Sequence, residues 1–572
     1  MELIPDRQAR NLAETTFDRN VVVVAGAGTG KTTLLVNRLV HLLIKEPHPV
    51  TVTQIVALTF TNKAATEMKV RLRERLMVLA HPETEAARAV DGGAVSLADL
   101  RLRYGLSTDE VVSRAAVALR DLEKGQIGTL HSFAAHLLRL YPLEGGVDPA
   151  FQEDDGLRFD EHFTAAWEIW VDRELSRQGS HHQLWRRVLG LVTLDDLRSL
   201  ARALCSELVD SDRLRAQINE EKLSPVLVEW VRQTYERGQV LLDAHDLPKR
   251  RKIEHLLAAA VNLMKAILDQ GAAGIQALSA ADLESLGKDL GNPVAGWEKD
   301  EFSEAGSIIT TAQQYQSVNN EFFKYALTLL EPLVSEIRLS FRLKGWVSFD
   351  GLLARARTLL RDHRAIRERI KQDYRAVLVD EFQDTDPVQY ELMLAISECV
   401  GSQASTWQEM ALEPGKLFIV GDPKQSIYAF RRADIEAFDR VVQKIEEDGG
   451  VIQTLTTNFR SDAAVLGPVN DVFDRLFERR PLVQPANVRL EVQPQRRPSA
   501  FDAGVRVQIT LPVPDERAFD AAGATRAEGE TLARWLTEDV LSRPQVKPGH
   551  VALLFRKLTQ ADTYVDALRR YG

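Results

Sequence analysis

Residues 21–32 read Val21-Val-Val-Val-Ala-Gly-Ala-Gly-Thr-Gly-Lys-Thr32. An unbroken apolar run, without polar alternation, is the pattern of a strand buried on both faces of a parallel sheet. The glycine-rich stretch after it ends in Lys-Thr and leads into Thr32–Leu43, where Leu35, Leu39 and Leu42 recur at helical spacing. Strand, glycine loop and helix in that order are the context in which backbone N–H groups wrap a polyphosphate, with the helix N-terminus adding its positive dipole end. Ala25, Gly26, Ala27, Gly28, Thr29, Gly30, Lys31, Thr32 and Thr33 are therefore the candidate nucleotide contacts. Lys31 suits the β- and γ-phosphates and Thr32 suits Mg²⁺. Ala25 stands where the usual pattern has glycine, a departure the loop geometry tolerates.

Outward from this loop, Ile55–Phe60 is a second buried strand, followed by a helix from about Ala64 to Met77. Residues 82–124 read as a polar helical insertion, and Ile127–Phe133 returns to strand then helix. From about Val147 to Lys344 leucine, arginine and glutamate recur at three- and four-residue spacing, with Trp167, Trp170, Trp185, Trp230 and Trp297 among them. This predicts one large helical domain inserted into an α/β domain. The basic run Lys249–Lys252 reads as a solvated helix face. Ala376–Val379, Leu417–Val420, Ile452–Leu455, Val505–Leu511 and Val551–Phe555 are further strand candidates. Residues Pro481–Pro498 look like a linker. Strands alternating with helices predict a doubly wound sheet.

A phosphate loop needs a carboxylate for the metal and a base for water. Val377-Leu-Val-Asp-Glu-Phe-Gln-Asp-Thr385 offers both at the end of an apolar strand. Asp380 fits the Mg²⁺ shell and Glu381 the activation of water. Asp384 reads as a helix cap or packing residue.

The chain has 572 residues, 45% of them apolar and 27% charged, which is ordinary for a water-soluble protein of several domains. Its formal net charge is −10, so bulk charge does not point to nucleic acid, although a large protein needs only a local basic groove. Two cysteines, Cys205 and Cys399, cannot build a disulfide framework or metal cluster and fit a cytoplasmic location. The first residues lack a signal-peptide core, and no run of about 18 apolar residues is present.

Further motifs follow in a fixed order. Thr59-Phe-Thr-Asn-Lys-Ala-Ala-Thr-Glu-Met68 and Gly128-Thr-Leu-His-Ser-Phe133 precede the acidic strand end. Val420-Gly-Asp-Pro-Lys-Gln-Ser-Ile-Tyr-Ala-Phe-Arg-Arg-Ala-Asp434 and Thr457-Asn-Phe-Arg-Ser461 come after it. Together they resemble motifs Ia to IV of the UvrD-like superfamily 1 DNA helicases. Asp380-Glu-Phe-Gln-Asp-Thr385 and Ser348-Phe-Asp-Gly-Leu-Leu353 resemble the RecB/AddA branch. The resemblance implies an α/β fold. A RecA-like P-loop NTPase motor domain carries a large helical inserted domain and the start of a second, truncated RecA-like domain. The expected divisions are 1–80, 125–145 and 345–460 for the first motor domain. Residues 81–124 and 146–344 would be helical insertions, and 461–572 an incomplete second motor domain.

The resemblance also implies roles. Gln8 would bond the adenine edge and Phe459 would stack on the base. Gln425 would sense the γ-phosphate, and Arg460 would place charge on it. Thr59, Asn62, Thr129, His131 and Arg431 would contact a DNA backbone, with Phe60, Tyr428 and Phe430 stacking on bases. His131 has a second reading, as a helix-start cap. The implied cofactors are ATP and Mg²⁺. The implied activity is 3′–5′ DNA helicase action in double-strand-break repair, on single-stranded and duplex DNA, with a RecC- or AddB-like partner. Another UvrD-like repair helicase, or an ATP-gated DNA-binding module, is the alternative. No motif V or VI and no nuclease signature is found, since Asp373-Tyr-Arg375 only precedes the acidic strand. Full activity is therefore expected of a longer protein.

Overall fold

A computed structural model of the chain describes residues 4–83, 94–176, 179, 181–210, 214–216, 225–245, 252–271, 274, 278–288, 297–316, 320–427, 435–477, 479, 484–494, 504–507 and 521–571. Two compact units are present, Met1–Phe459 with Phe477–Leu490, and Arg460–Leu476 with Glu491–Gly572.

The first unit is organised by a sheet. Its strands are β1 (Val21–Ala25), β2 (Ile55–Thr59) and β3 (Gln126–Thr129). After the short pair β4 (Gln152–Asp154) and β5 (Trp346–Ser348) come β6 (Ala376–Val379), β7 (Leu417–Gly421) and β8 (Val451–Leu455). Six of them form one sheet in the order β3-β2-β6-β7-β1-β8, every pair parallel. The apolar run of β1 divides its side chains between two cores. Val21, Val23 and Ala25 join Leu35 and Leu39 on one face, and Val22 joins Val56, Leu58 and Phe133 on the other. Each full burial of a valine or leucine stabilises by roughly 1.5–3 kcal/mol, so a polar residue anywhere in the run would be costly. Asn20 fixes the register before β1. Its side-chain oxygen accepts the Leu417 N–H at 2.9 Å, and its carbonyl accepts the Val451 N–H at 2.9 Å.

Helices cover both faces. Lys31–Ile44 follows β1, and Asn62–Ala80 follows β2 with Thr61 as its cap. The polar stretch after it contains helices Leu97–Tyr104 and Thr108–Asp121, both opened by serine capping boxes. Strands β4 and β5 pair in parallel, so the stretch expected to be helical from 146 contains a strand. The helices proper run from Leu157 to Leu343 and hold two separate cores. One is aromatic, built on Phe163, Trp167, Trp170 and Trp185, with successive ring centroids 5.4–6.2 Å apart. The other is aliphatic, built on Leu256, Leu257, Val261 and Ile309. Residues 246–251, with most of the basic run, lie outside the described residues; Lys252 opens a helix.

In the second unit, helix Ala521–Trp535 packs on helix Ala561–Tyr571 through buried Ala533 and Ala567, and Arg570 pairs with Glu530 at 2.9 Å. The expected strand Val551–Phe555 is not one. It runs without a ladder among the described residues, and Leu554 is 94% exposed. Residues 504–507 likewise have no ladder, and the rest of the Val505–Leu511 candidate falls outside the described residues. An apolar run makes a strand only where a partner edge and a core await it. Among the described residues no helix is long and apolar enough to cross a membrane.

Candidate functional site

In an open parallel sheet, binding segments gather at the carboxyl ends of the strands. Here β1 ends in the glycine loop, β2 in Thr59–Asn62, and β3 in Thr129–His131. Then β6 ends in Asp380–Asp384, β7 in Asp422–Gln425, and β8 leads to Asn458–Phe459.

The glycine loop is held from behind. Gly28 and Gly30 have φ of +74° and +83°, the left-handed region open to glycine. The Gly26 carbonyl accepts the Thr29 hydroxyl at 2.8 Å, and Asn458 Nδ2 donates to the Ala27 carbonyl at 2.7 Å. Phe459 N–H donates to the Gly28 carbonyl at 2.8 Å, and Arg10 Nη1 to that of Thr29 at 2.8 Å. Four successive carbonyls thus accept protein donors, and the Thr29 N–H itself turns to the Gly26 carbonyl at 3.4 Å. Glycines at positive φ leading directly into a helix N-terminus are the setting in which a polyphosphate fits. The Leu490 side chain packs directly against Gly26, leaving no room there for a Cβ.

Arg10 ties this loop to two other segments. Its guanidinium meets Asp6 through Nε and Nη2, each at 2.8 Å, and lies 5.0 Å from the centre of the Phe459 ring. Asp6 in turn accepts the N–H groups of Thr456 and Thr457 at 2.9 Å and the Thr457 hydroxyl at 2.8 Å. Burial pulls the Asp6 carboxyl upward, but Arg10 and the Thr457 donors outweigh it and hold the group below its ordinary value. Neither residue stood out in the sequence, where an i,i+4 acid–arginine pair reads as ordinary helix surface. Gln8 is exposed on the same helix.

Across the loop mouth, Lys31 Nζ donates to Glu381 Oε2 at 2.7 Å. Glu381 has φ of +52°, the one non-glycine residue with positive φ among the described residues. Such a conformation costs on the order of 1–2 kcal/mol, so the turn after β6 holds this carboxylate in place against a backbone preference. Asp380 is buried beside it and accepts the Glu381 N–H at 3.0 Å. Burial, then the Glu381 charge, pushes the Asp380 carboxyl up to about 6, with Lys31 opposing. Asp384 is also raised to about 6, by burial and then by Glu381. A buried carboxylate crowded by a second one and only partly offset by Lys31 has the charge imbalance that a further cation would relieve. Asp384 does not cap a helix. Asp386 does, accepting Val388 and Gln389 N–H at 2.9 Å each.

Gln425 lies in a short turn after β7, with Nε2 donating to Asp422 Oδ2 at 2.8 Å. Arg460 is the first residue of the second unit.

The expected strand-contact residues are only partly together. Thr59 and Thr129 are register partners at the ends of β2 and β3. Thr59 is buried and donates to the Thr61 carbonyl at 2.9 Å. Phe60 is half-buried and Asn62 is exposed at the helix start. Thr129 is the cap of helix Leu130–Leu140, accepting the Ser132 N–H at 3.2 Å, so His131 is not that cap. His131 instead faces Phe349, ring centroids 5.4 Å apart, and burial lowers its imidazole below the ordinary value. Phe349 is 44% exposed beside it, an aromatic platform to which its sequence position assigns no role. Tyr428, Phe430 and Arg431 lie outside the described residues.

The profile of the UvrD/REP helicase N-terminal domain matches residues 6–446. The chain is 26% identical over 511 residues to the A subunit of an ATP-dependent helicase/nuclease from Listeria monocytogenes, covering 80% of this chain and 38% of that protein. It is 25% identical to the protein of the same name from Oceanobacillus iheyensis, covering 81% and 38%. With that of Streptococcus pneumoniae the identity is 24%, covering 97% of this chain and 46% of the relative. The chain thus spans less than half the length of these relatives. It belongs to the UvrD/REP helicase N-terminal domain family, and over most of its length it is similar to helicase/nuclease proteins of the AddA, RecB-like kind.

Proposed function

We propose that this chain is the ATP-binding part of a DNA motor. It would move 3′ to 5′ on single-stranded DNA and unwind duplex in double-strand-break repair and recombination. The observation that carries the reading is the Lys31–Glu381 ion pair beside a glycine loop whose carbonyls from Gly26 to Thr29 are held by protein donors. The family match and the name the relatives share, ATP-dependent helicase/nuclease, support the same direction. In the complete protein a RecC- or AddB-like chain would be the partner, in the cytoplasm.

Ala25 to Thr33 would grip the triphosphate, with Gln8 at the adenine edge and Phe459 against the base. Mg²⁺, held by Thr32 and Asp380, would neutralise phosphate charge and orient the reacting group. Lys31 would exchange Glu381 for phosphate oxygens. Glu381, released from the lysine, would take the proton of the attacking water. Arg460 would stabilise charge as it develops on the γ-phosphate, and Gln425 would relay its presence to the strand. Thr59, Phe60, Asn62, Thr129, His131 and Phe349 would line the strand, joined by Tyr428, Phe430 and Arg431. A sequence-tolerant track of aromatic faces and phosphate donors is the general chemistry of single-strand binding.

In this reading residues 1–80, 125–145 and 345–460 form the first RecA-like motor domain. Residues 81–124 and 146–344 are its helical insertions, and 461–572 begin a second motor domain.

The test is phosphate release by the full-length protein with and without single-stranded DNA, then unwinding of duplexes with a 3′ or a 5′ tail. Stimulation by DNA and preference for the 3′ tail are expected. Equal turnover with and without DNA would remove the motor reading, and preference for the 5′ tail would reverse the direction.

A further inference from the structure

Between the Lys31–Glu381 pair and the turn carrying Gln425 lies one side chain, Gln383. It is 2% exposed. Its Oε1 accepts the Asp422 N–H at 2.9 Å, and its Nε2 donates to Glu381 Oε2 at 2.8 Å and to Asp384 Oδ2 at 3.4 Å. Its carbonyl accepts the Ser426 hydroxyl at 3.2 Å. The orientation of the amide is fixed by chemistry. Reversed, it would set NH₂ against an N–H and oxygen against two carboxylates. Asp422 then holds the next turn, accepting Lys424 N–H at 3.2 Å and Gln425 Nε2 at 2.8 Å. A continuous path of hydrogen bonds therefore runs Lys31, Glu381, Gln383, Asp422, Gln425.

The packing around Gln383 leaves little slack. A Cβ built on Gly421 would lie 2.7 Å from Gln383 Oε1 and 3.1 Å from the Phe438 ring, so the β7 end and the β6 turn are in contact through this amide. Glu381 Oε2 is shared by Lys31 and Gln383. When Lys31 leaves for a phosphate, the carboxylate loses one of two donors, and the amide of Gln383 is the remaining one. Any shift of the carboxylate is carried by a rigid planar amide to the Asp422 backbone.

We propose that Gln383 is a positioning residue that couples the state of the hydrolytic carboxylate to the segment after β7, and so couples ATP turnover to strand engagement. The inference rests on the reading of the site as a DNA-stimulated ATPase. It adds the link by which Glu381 and Gln425 act together. Gln383 is buried and its hydrogen-bond partners are protein groups, so its loss is expected in the coupling ratio and not in nucleotide affinity.

The experiment measures kcat with and without single-stranded DNA, and KM for ATP, in the full-length protein and its Gln383→Leu variant. The expected result is a fall of about tenfold or more in the stimulation ratio. KM for ATP should stay within about threefold. Thr385→Val is the control. Its hydroxyl donates to the Phe382 carbonyl at 2.7 Å in the same turn but lies off the path, and its ratio should stay as in the wild type. If Gln383→Leu does not fold, Gln383→Met serves. It is of similar length, supplies neither the acceptor for Asp422 nor the donor to Glu381, and the same fall is expected. An unchanged ratio in the Gln383 variant, or an equal fall in Thr385→Val, overturns the coupling role. A wild type that DNA does not stimulate overturns the motor reading itself, which separates the two failures.

Discussion

The sheet and the helical block of the first unit are both tightly packed, yet they are held by different means. At the carboxyl end of the sheet and around it, single polar groups join segments far apart in the chain: Asp6 to Thr457, Lys31 to Glu381, Asn20 to Leu417. In the block from Leu157 to Leu343, cohesion comes from rings and aliphatic side chains, as in the Trp167–Trp170–Trp185 series. Burial energy is additive and non-directional, whereas a buried hydrogen bond is worth little net and much when broken. The sheet therefore fixes the positions of single groups, and the block supplies stability and surface. Function should follow the first and folding free energy the second.

The sharpest test of that division is Lys31→Ala. ATP turnover by the full-length protein should fall by roughly 10³-fold, with its melting temperature nearly unchanged. Normal phosphate release would dismiss the glycine loop as a nucleotide site. Next, Glu381→Gln should lower kcat by about 10²-fold while ATP still binds, as followed with a fluorescent nucleotide. Loss of binding would give Glu381 a structural role instead. On the other side, Trp170→Ala should cost about 3–5 kcal/mol in denaturant unfolding. Its DNA-stimulated kcat, measured where the protein is folded, should stay within about twofold. A large catalytic loss would tie the helical block to the chemistry.

The smallest effect concerns Glu14, which accepts from Asn37 at 2.8 Å behind the loop helix. Burial raises its carboxyl to about 7. Between the unfolded value, near 4.3, and about 7 the folded protein holds a proton that the unfolded chain has released. Stability contributed here falls as pH rises through that window and stays low above it. Glu14→Gln should therefore raise the melting temperature by about 1–2 °C at pH 8 and leave it unchanged at pH 4. A gain of equal size at both pH values would break the assignment.

How much of this is legible in the sequence divides along the same line. Val21–Thr32 and Asp380–Glu381 stand out because chemistry and local pattern coincide: an apolar run, glycines, then a charged residue at a strand end. The three- and four-residue spacing of leucine, arginine and glutamate announces the helical block, but not that Trp167, Trp170 and Trp185 form its aromatic core while Trp230 is exposed. What escapes is non-local. Arg10, Gln383 and Phe349 matter through partners that periodicity cannot reveal, 447 positions away in the case of Arg10 and Thr457. Asp384 and Asp386 are two acids in one short turn, and only the backbone geometry tells which one caps. Val551–Phe555 looks like β1 in composition, but nothing in the chain's own pattern says whether a neighbouring edge will receive it.

The placement of β1 also sets an order of events during synthesis. Its two neighbours, β7 and β8, are made roughly 400 residues later, which at ribosomal speeds of about 5–20 residues per second is a delay of roughly 20–80 s. For that time a bare valine ribbon waits outside the ribosome while the helices from Leu157 onward can already assemble from nearby segments. The nascent chain is then a folded helical body carrying an unfinished sheet, and the interval before β7 emerges is when a chaperone has most to protect.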